Sequence, residues 1–515
     1  MISSRMLHFL LGMGSTHLSA IAMVVVNMIS IPIGLQYFGI EKYGALSIVT
    51  TLLAYLSLSN LGIPTAASIL ASKSQDKVEV FVIIIKAFVM TLLICLLAVI
   101  SILIFINDSW WMILLGKIPL NIYKEVQDAS VIATLLFLLN IPWTTFMAGF
   151  IADGKIYIER LYAAISSSLS LLALLLCINI EGNLVTYLGI RGIMIILLSI
   201  ISGIHLILST QDVKNILLDS TKRIFKPSIH REISFYSLFS NGYRIFFLSL
   251  SSMVVLNTDN LVISNFIGME AVASYSITFK LISTSYIIVT ALNAALGPMY
   301  GNAYAGGDTE WIQGTYNKIA TVNSILGGMI WIGAIGFAEE LIKLWVGSAG
   351  YAGLLVVFAL GGYGYSLSLC HVHASLLSNI SIDNRNVLIG WSEAGVNFIL
   401  SIIMVIAWGS GGVALGTFLA AIATVFWMMP REINRRTHGK IIFDFKPILR
   451  HFKKVIAPLL LVSLFVEYAV EQKIFKLLLD IIILLAYTII SYRMLPNEIK
   501  ATSIKVLNKL INTQR

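Results

Sequence analysis

Among the charged side chains inside the apolar runs of this 515-residue chain, seven are candidates for a functional role: Lys86, Arg191, Arg244, Asp259, Lys280, Lys318 and Glu393. A charge in hydrocarbon is costly, so such groups face water or a partner. Five of the seven are basic, and an excess of positive charge in an apolar scaffold attracts anions, phosphates above all. At 1.5 Å per residue, Arg244 and Lys280 each lie about 15 Å into their segments, near the middle of a bilayer. Asp259 follows Arg244 by fifteen residues, a net turn of about 60°, so the two share a broad face. Ser237, Asn241, Arg244, Ser251 and Thr258 recur at three-, four- and seven-residue steps. Such a polar stripe belongs to a helix that lines water. Ser276, Lys280 and Thr284 form a shorter one. The candidates for contact with an anionic ligand are therefore Arg244, Lys280, Arg191, Asn241 and Asp259. Lys86 and Lys318 lie closer to the cytoplasmic edge, where they snorkel to the inner surface and at most recruit substrate there. Pairing of Arg244 or Lys280 with Asp259 or Glu393, which would only hold helices together, is the competing reading.

Bond-making chemistry is poorly signalled. The segment GFIADGKI at 149–156 has P-loop spacing, but Ile156 replaces the hydroxyl that holds magnesium and no strand precedes it. His371 and His373 flank one residue beside Cys370, yet on a helix they point about 200° apart and cannot chelate one ion. HEXXH and GxSxG are both absent, and the three cysteines, Cys95, Cys177 and Cys370, lie in apolar runs without CxxC spacing. No catalytic residue, metal site or resident cofactor is expected, and the reading is not that of an enzyme. Energy from an ion gradient or the membrane potential stays open.

The elements that hold these charges are membrane helices. Hydrophobic residues make up 58% of the chain and charged residues 12%, with a mean hydropathy of +0.88. An ordinary soluble domain is about 25% charged, and one of this size could not hide so much apolar surface. Apolar runs predict fourteen helices, near 13–35, 43–71, 80–106, 127–150, 157–179, 184–209, 234–266, 270–302, 312–338, 351–379, 386–407, 412–432, 455–470 and 474–494. The first reads as an uncleaved span rather than a signal peptide. No alternating ten-residue pattern suggests a barrel. With the N-terminus inside, cytoplasmic segments hold 24 of the 35 Lys and Arg residues and outside loops hold 6. That asymmetry places both termini in the cytoplasm. It also accounts for the net charge of +9 without nucleic acid as a partner.

Two charged loops, 210–233 and 431–454, divide the helices into six, six and two. Their amphipathic segments could lie on the anionic inner leaflet, or only set topology. A repeat supports the division: LQYFGIEKYGALSI at 35–48 meets SNFIGMEAVASYSI at 264–277. At an offset of 229 residues, Gly39 meets Gly268, Glu41 meets Glu270, Ser47 meets Ser276 and Ile48 meets Ile277. Lys86 and Lys318 sit at like depths in the third and ninth spans. The expected fold is all-α and polytopic. Two pseudo-symmetric six-helix lobes, 1–209 and 234–436, are joined by a linker at 210–233, and 437–515 adds a basic loop, two helices and a cytoplasmic tail. Six is even, so the halves are parallel repeats.

The stretches PIGLQYFGIEKYGALSIVTTLLAYLSLSNLGIPTAA at 32–67 and NTDNLVISNFIGMEAVASYSITFKLISTSYIIVTALNAALGPMYGNAYAGGD at 257–308 resemble the polysaccharide and oligosaccharide flippases of the Wzx type. That group is related to the MATE exporters and the lipid II flippase. The resemblance rests on Gly39, Tyr43, Gly44, Gly62, Asp259, Gly268, Tyr275 and Pro298 at family-like places. It implies a bacterial inner-membrane transporter with a cationic central cavity, worked by alternating access. The implied substrate is a polyprenyl-diphosphate-linked, O-antigen-like repeat unit, with membrane lipids, polysaccharide polymerase and chain-length machinery as partners. A MATE-like exporter of small cations should instead show an acidic cavity. A polysaccharide polymerase should carry a catalytic set in a sizeable outside loop, and the longest here, about 107–126, has none.

Overall fold

The computed structural model describes residues 4–72, 74, 76–105, 108–209, 235–380, 384–495, 498 and 500. The linker expected at 210–233 and the end of the tail lie outside them. Among the described residues the regular structure is helical throughout.

The chain begins with α1 (Ser4–Leu56), which joins the first two expected spans. Its bend is at Gly39, with φ 77° and ψ 168°. Only glycine takes that conformation without a cost of about 1–3 kcal/mol. After a 3-10 turn, Pro64 opens α2 (Ile63–Ala71) in the first turn, where its missing N–H is not needed. There follow α3 (Lys77–Phe105), α4 (Asp108–Leu115), α5 (Leu120–Thr144), α6 (Met147–Ala152), α7 (Ile156–Asn179) and α8 (Leu184–Leu208). The loop expected at 107–126 is thus largely helical. The Asn183 side chain caps α8 by accepting from Thr186 N at 3.1 Å.

Next come α9 (Phe235–Phe266), α10 (Met269–Ser285) and α11 (Ile287–Ala305). Gly268, with φ 136°, stands between α9 and α10. The two glycines that the repeat makes equivalent, Gly39 and Gly268, therefore both carry turns at positive φ. The chain continues through α12 (Thr309–Val346), α13 (Leu354–Ile380), α14 (Asn384–Ala423), α15 (Val425–Arg436), α16 (Phe445–His451), α17 (Ala457–Ala469) and α18 (Lys473–Met494). A bend at Trp408 and Gly409 splits α14 into two arms.

Ten helical runs among the described residues are long and apolar enough to cross a membrane. Two of them, 18–60 and 384–436, are kinked at glycine and long enough for two crossings each. The expected span 270–302 is interrupted at Tyr286, and the helix under 455–470 runs only 13 residues beyond a π turn. Fourteen is therefore an approximate count. The protein is a multi-pass membrane protein, and its side chains face accordingly. Leu97, Ile104, Leu208, Ile406 and Leu461 are outward and exposed, while Ser202, Asn323, His373 and Ser401 are buried. Lipid solvates the first set, and in the second Asn323 donates to Ser368 O and His373 is bonded to Tyr316.

By contacts the chain forms two compact units, residues 1–276 with 383–394, and residues 277–382 with 395–515. The seventh expected span, α9, goes with the first unit, so these units and the repeat-based division do not share boundaries. In the first unit, Ile63, Ala66 and Ala67 of α2 pack with Ile83 and Ala87 of α3 and Ala148 of α6. In the second, glycines let α12 and α13 approach closely: Gly327 faces Ser368, and Gly361 and Gly362 face Trp331. Part of the 431–454 loop is docked on α12. Ile441 and Phe443 are buried in protein. The Gln313 side chain donates to Ile442 O at 2.7 Å and accepts from Ile442 N at 2.6 Å.

Candidate functional site

The first unit holds two polar constellations. One is built by three consecutive residues of α9, which a 100° step aims in different directions. Thr258 Oγ1 is hydrogen-bonded to Tyr55 Oη at 2.7 Å. Asn260 Nδ2 donates to Thr51 Oγ1 at 3.0 Å. Asp259 Oδ2 accepts from Tyr275 Oη at 2.5 Å, and Ser276 Oγ donates to Asn260 Oδ1 at 3.2 Å. Thr51 and Tyr55 are one turn apart on the second arm of α1, and Tyr275 and Ser276 belong to the second turn of α10. These residues pin α9 to both neighbours. Asp259, expected to face a cavity, is buried and receives a hydroxyl donor. Sequence reasoning missed Thr51, Tyr55 and Asn260. The available signal was Thr51 and Tyr55, two polar residues four apart in an apolar arm.

The other constellation is a cavity of about 410 Å³. The second arm of α1 lines it with Thr50, the 3-10 turn after it with Ser57, α5 with Asn140, α7 with Ser166 and α8 with Arg191. Arg191 Nε donates to Ser170 Oγ at 3.2 Å. That bond fixes the guanidinium and leaves its two NH₂ groups for the cavity. Asn140 is buried, and its Oδ1 has no hydrogen-bond partner among the described residues. A planar cation that can bind bidentately and an amide acceptor thus share one cavity. That combination suits an anionic or hydroxyl-bearing ligand.

The other expected residues are dispersed. Arg244 and Asn241 fall on α9, but their side chains lie outside the described residues. Lys280, on α10 in the second unit, is half-buried, and no ion pair to it is found among the described residues. Glu393, on the first arm of α14, is half-buried with Oε1 unpartnered. Lys86 does not snorkel: it is 3% exposed. The reason is that α3 is enclosed at this level, with α2 over Ile83 and Ala87 and α6 over Ile84. Lys318 pairs with Glu498, and both side chains reach the surface. His373 is hydrogen-bonded through Nδ1 to Tyr316 Oη at 2.7 Å, a packing role.

Comparison with known proteins agrees with this architecture. Residues 9–303 match the family described as Polysaccharide biosynthesis protein, and residues 245–368 match the MatE family. Two curated relatives are each named "Putative O-antigen transporter". The Salmonella typhimurium protein is 23% identical over 81% of this chain and 94% of its own length. The Salmonella typhi protein is 24% identical over 62% of this chain and 70% of its own. Among solved structures, an inward-facing MATE-family multidrug resistance transporter superimposes with a TM-score of 0.68 at 14% identity, over 81% of this chain and 99% of that one. The lipid II flippase MurJ, in an inward closed conformation, gives 0.64 at 16% identity, over 93% and 98%. The fold is thus that of these transporters, and the family match spans more than half of the sequence: the chain belongs to the polysaccharide biosynthesis protein family.

Proposed function

We propose that the protein is a flippase. It moves polyprenyl-diphosphate-linked, O-antigen-like repeat units from the cytoplasmic to the outer leaflet of a bacterial inner membrane, with both its termini in the cytoplasm. The physical problem is the head group. Each unsatisfied polar group costs several kcal/mol in hydrocarbon, whereas the polyprenyl tail can stay in lipid throughout. A carrier must therefore offer polar surface inside an apolar shell and open it to one side at a time. The observation that carries the reading is the Arg191 cavity, a largely apolar space lined by Leu53, Leu136, Phe137 and Ile195 into which a guanidinium, an amide acceptor and a few hydroxyls are set. Its 410 Å³ falls within the range of about 300–1,000 Å³ of small-ligand pockets. Arg191 supplies a fork for phosphate or an acidic sugar, and Asn140, Thr50, Ser57 and Ser166 supply partners for sugar hydroxyls. Arg244 and Lys280 add positive charge near mid-membrane on α9 and α10. Among the described residues no Asp or Glu lines the Arg191 cavity, whereas an exporter of small cations would need an acidic one. Polymerase and chain-length machinery would take up the exported units.

The test is polysaccharide display, measured together with protein level in the membrane and lipid-linked oligosaccharide accumulation. Arg191→Ala should cut display several-fold at unchanged protein level, with Arg191→Lys intermediate because it keeps the charge and loses the fork. Normal display by Arg191→Ala, or failure that merely tracks loss of the protein, sinks the reading.

A further inference from the structure

The C-terminal helices carry a polar file that head-group transport does not use. On α18, residues Lys476, Asp480, Tyr487 and Ser491 recur at four-, seven- and four-residue steps, on the one face of an otherwise exposed helix that is turned into the protein. Asp480 is 2% exposed and packs on Gly336 of α12, where a Cβ would lie 2.7 Å from its Cγ. Tyr487 Oη donates to Ile325 O of α12 at 2.7 Å. Ser491 Oγ is hydrogen-bonded to His451 Nε2 at 3.0 Å, and His451 Nδ1 to Ser324 Oγ at 3.1 Å. A π turn, 452–456, follows His451 directly, and such distortions concentrate at functional sites. By helix rise, Lys476 to Ser491 covers about 22 Å of a hydrocarbon core about 30 Å thick.

The charges around Asp480 count out unevenly. Glu467 of α17 pairs with Lys476 at 2.6 Å, and Lys476 lies 3.6 Å from Glu339 of α12. Glu339 pairs with Lys343 at 2.5 Å, and Glu340 stands 3.8 Å from both Lys343 and Lys473. Three glutamates thus meet three lysines. Asp480 is a fourth carboxyl, and neither of its oxygens has a hydrogen-bond partner among the described residues. Ser463 Oγ and Glu467 Oε1, on the face of α17 toward α18, also lack one. Tyr351, in the turn after α12, is neutral. Lys453 and Lys454 of the π turn are exposed. A buried carboxylate with no donor is expensive in a membrane helix. Adding one proton to an Asp480 oxygen removes that charge, leaves the cluster balanced at three and three, and gives the carboxyl a donor. A metal ion fits less well, because the Lys476 ammonium already occupies the cluster. Among the described residues no group of three His, Cys, Asp or Glu side chains could hold one.

We infer that Asp480 is a proton-binding site built into the C-terminal hairpin, its ligand a proton exchanged at the end where α17 meets α18. The test is infrared spectroscopy of the purified full chain in lipid. The native protein should show the carbonyl band of a buried, protonated carboxylic acid at neutral pH. Asp480→Asn should lose it, and Glu467→Gln should keep it. Should the Asn variant fail to fold, Asp480→Ser replaces it, since a smaller polar group fits beside Gly336. A band unchanged by substitution of Asp480 overturns the inference, and so does a band abolished by sodium ions at constant pH, which would make the ligand a metal cation. Neither readout depends on the transported lipid, so failure here leaves the flippase reading standing.

Discussion

Gly44 is the most sharply constrained of the residues that carry the family resemblance, and replacing it by alanine tests the packing of the repeat. A Cβ at Gly44 would lie 2.7 Å from the carbonyl carbon and 3.2 Å from the Cα of Met269, and closer still to its carbonyl oxygen. Carbon atoms in contact prefer about 3.5–4.0 Å, so the second arm of α1 would have to retreat from the start of α10 by roughly 0.8 Å or more. The obstruction is backbone, and no rotamer relieves it. Overpacking of this kind costs about 1–3 kcal/mol, occasionally more. Against that, alanine in a helix gains about 1 kcal/mol over glycine, which leaves a net loss of up to about 2 kcal/mol, at the upper end because the obstruction is backbone. Gly34, on the first arm, is the control. A Cβ there meets Tyr43 at 3.7 Å and Leu174 at 3.8 Å, ordinary contacts with side chains, so Gly34→Ala should be neutral or stabilising. The assay is the apparent thermal midpoint of the purified protein, with membrane abundance as a second reading. Gly44→Ala should fall well below the native chain, and Gly34→Ala should not. Equal stability of the two variants would show that Gly44 and Met269 are not in contact, and the argument from the repeat motif would fail with it.

Tyr275→Phe should cost about 1–3 kcal/mol, because it withdraws a donor from the buried Asp259 carboxylate. Adding Asp259→Asn should recover part of that loss, as seen in the thermal midpoints of the single and double variants. Reporter fusions after residues 222 and 440 should both report the cytoplasm, following the distribution of Lys and Arg. An outward report from either would overturn the orientation.

The fold was legible in the sequence to the extent that burial in lipid writes it in long apolar runs. Interruptions were less legible. Glycine at 39 and at 409 bends a helix without ending its apolar pattern, so one structural helix reads as two spans or two as one. The 431–454 loop read either as a membrane-surface segment or as a topology signal, because its basic residues dominate the composition. Its docking depends on Gln313 of α12, more than a hundred residues away, which no local pattern reveals. The same limit applies to Lys86. Depth along α3 was computable from helix rise, but enclosure by α2 and α6 was not. Within the site, Arg191 and Asp259 were visible as charges in apolar runs. Their partners were not, because Ser170 and Tyr275 are ordinary hydroxyls until another helix brings a polar atom to them.

Partnering divides the intramembrane charges into two populations with different consequences. Glu467 is a charge inside the expected span 455–470, and the structure places Lys476 at 2.6 Å from it, so the hairpin meets the cost of that charge internally. Lys318 with Glu498 is neutralised in the same manner at the surface, where a pair contributes about 0–1 kcal/mol. Such charges hold helices or set register, and replacing both members by apolar residues should cost little. Glu393 and Asp480 differ, because each keeps carboxyl oxygens without a hydrogen-bond partner among the described residues, and Arg191 differs because it lines a cavity with only its Nε bonded to Ser170. Desolvating such a group serves no purpose in packing. On the proposed reading its cost is met when something from outside arrives: an anionic head group at Arg191, a proton at Asp480. Conservative loss of charge should therefore separate the populations. Glu467→Gln with Lys476→Met should leave export near normal, while Arg191→Ala alone should not.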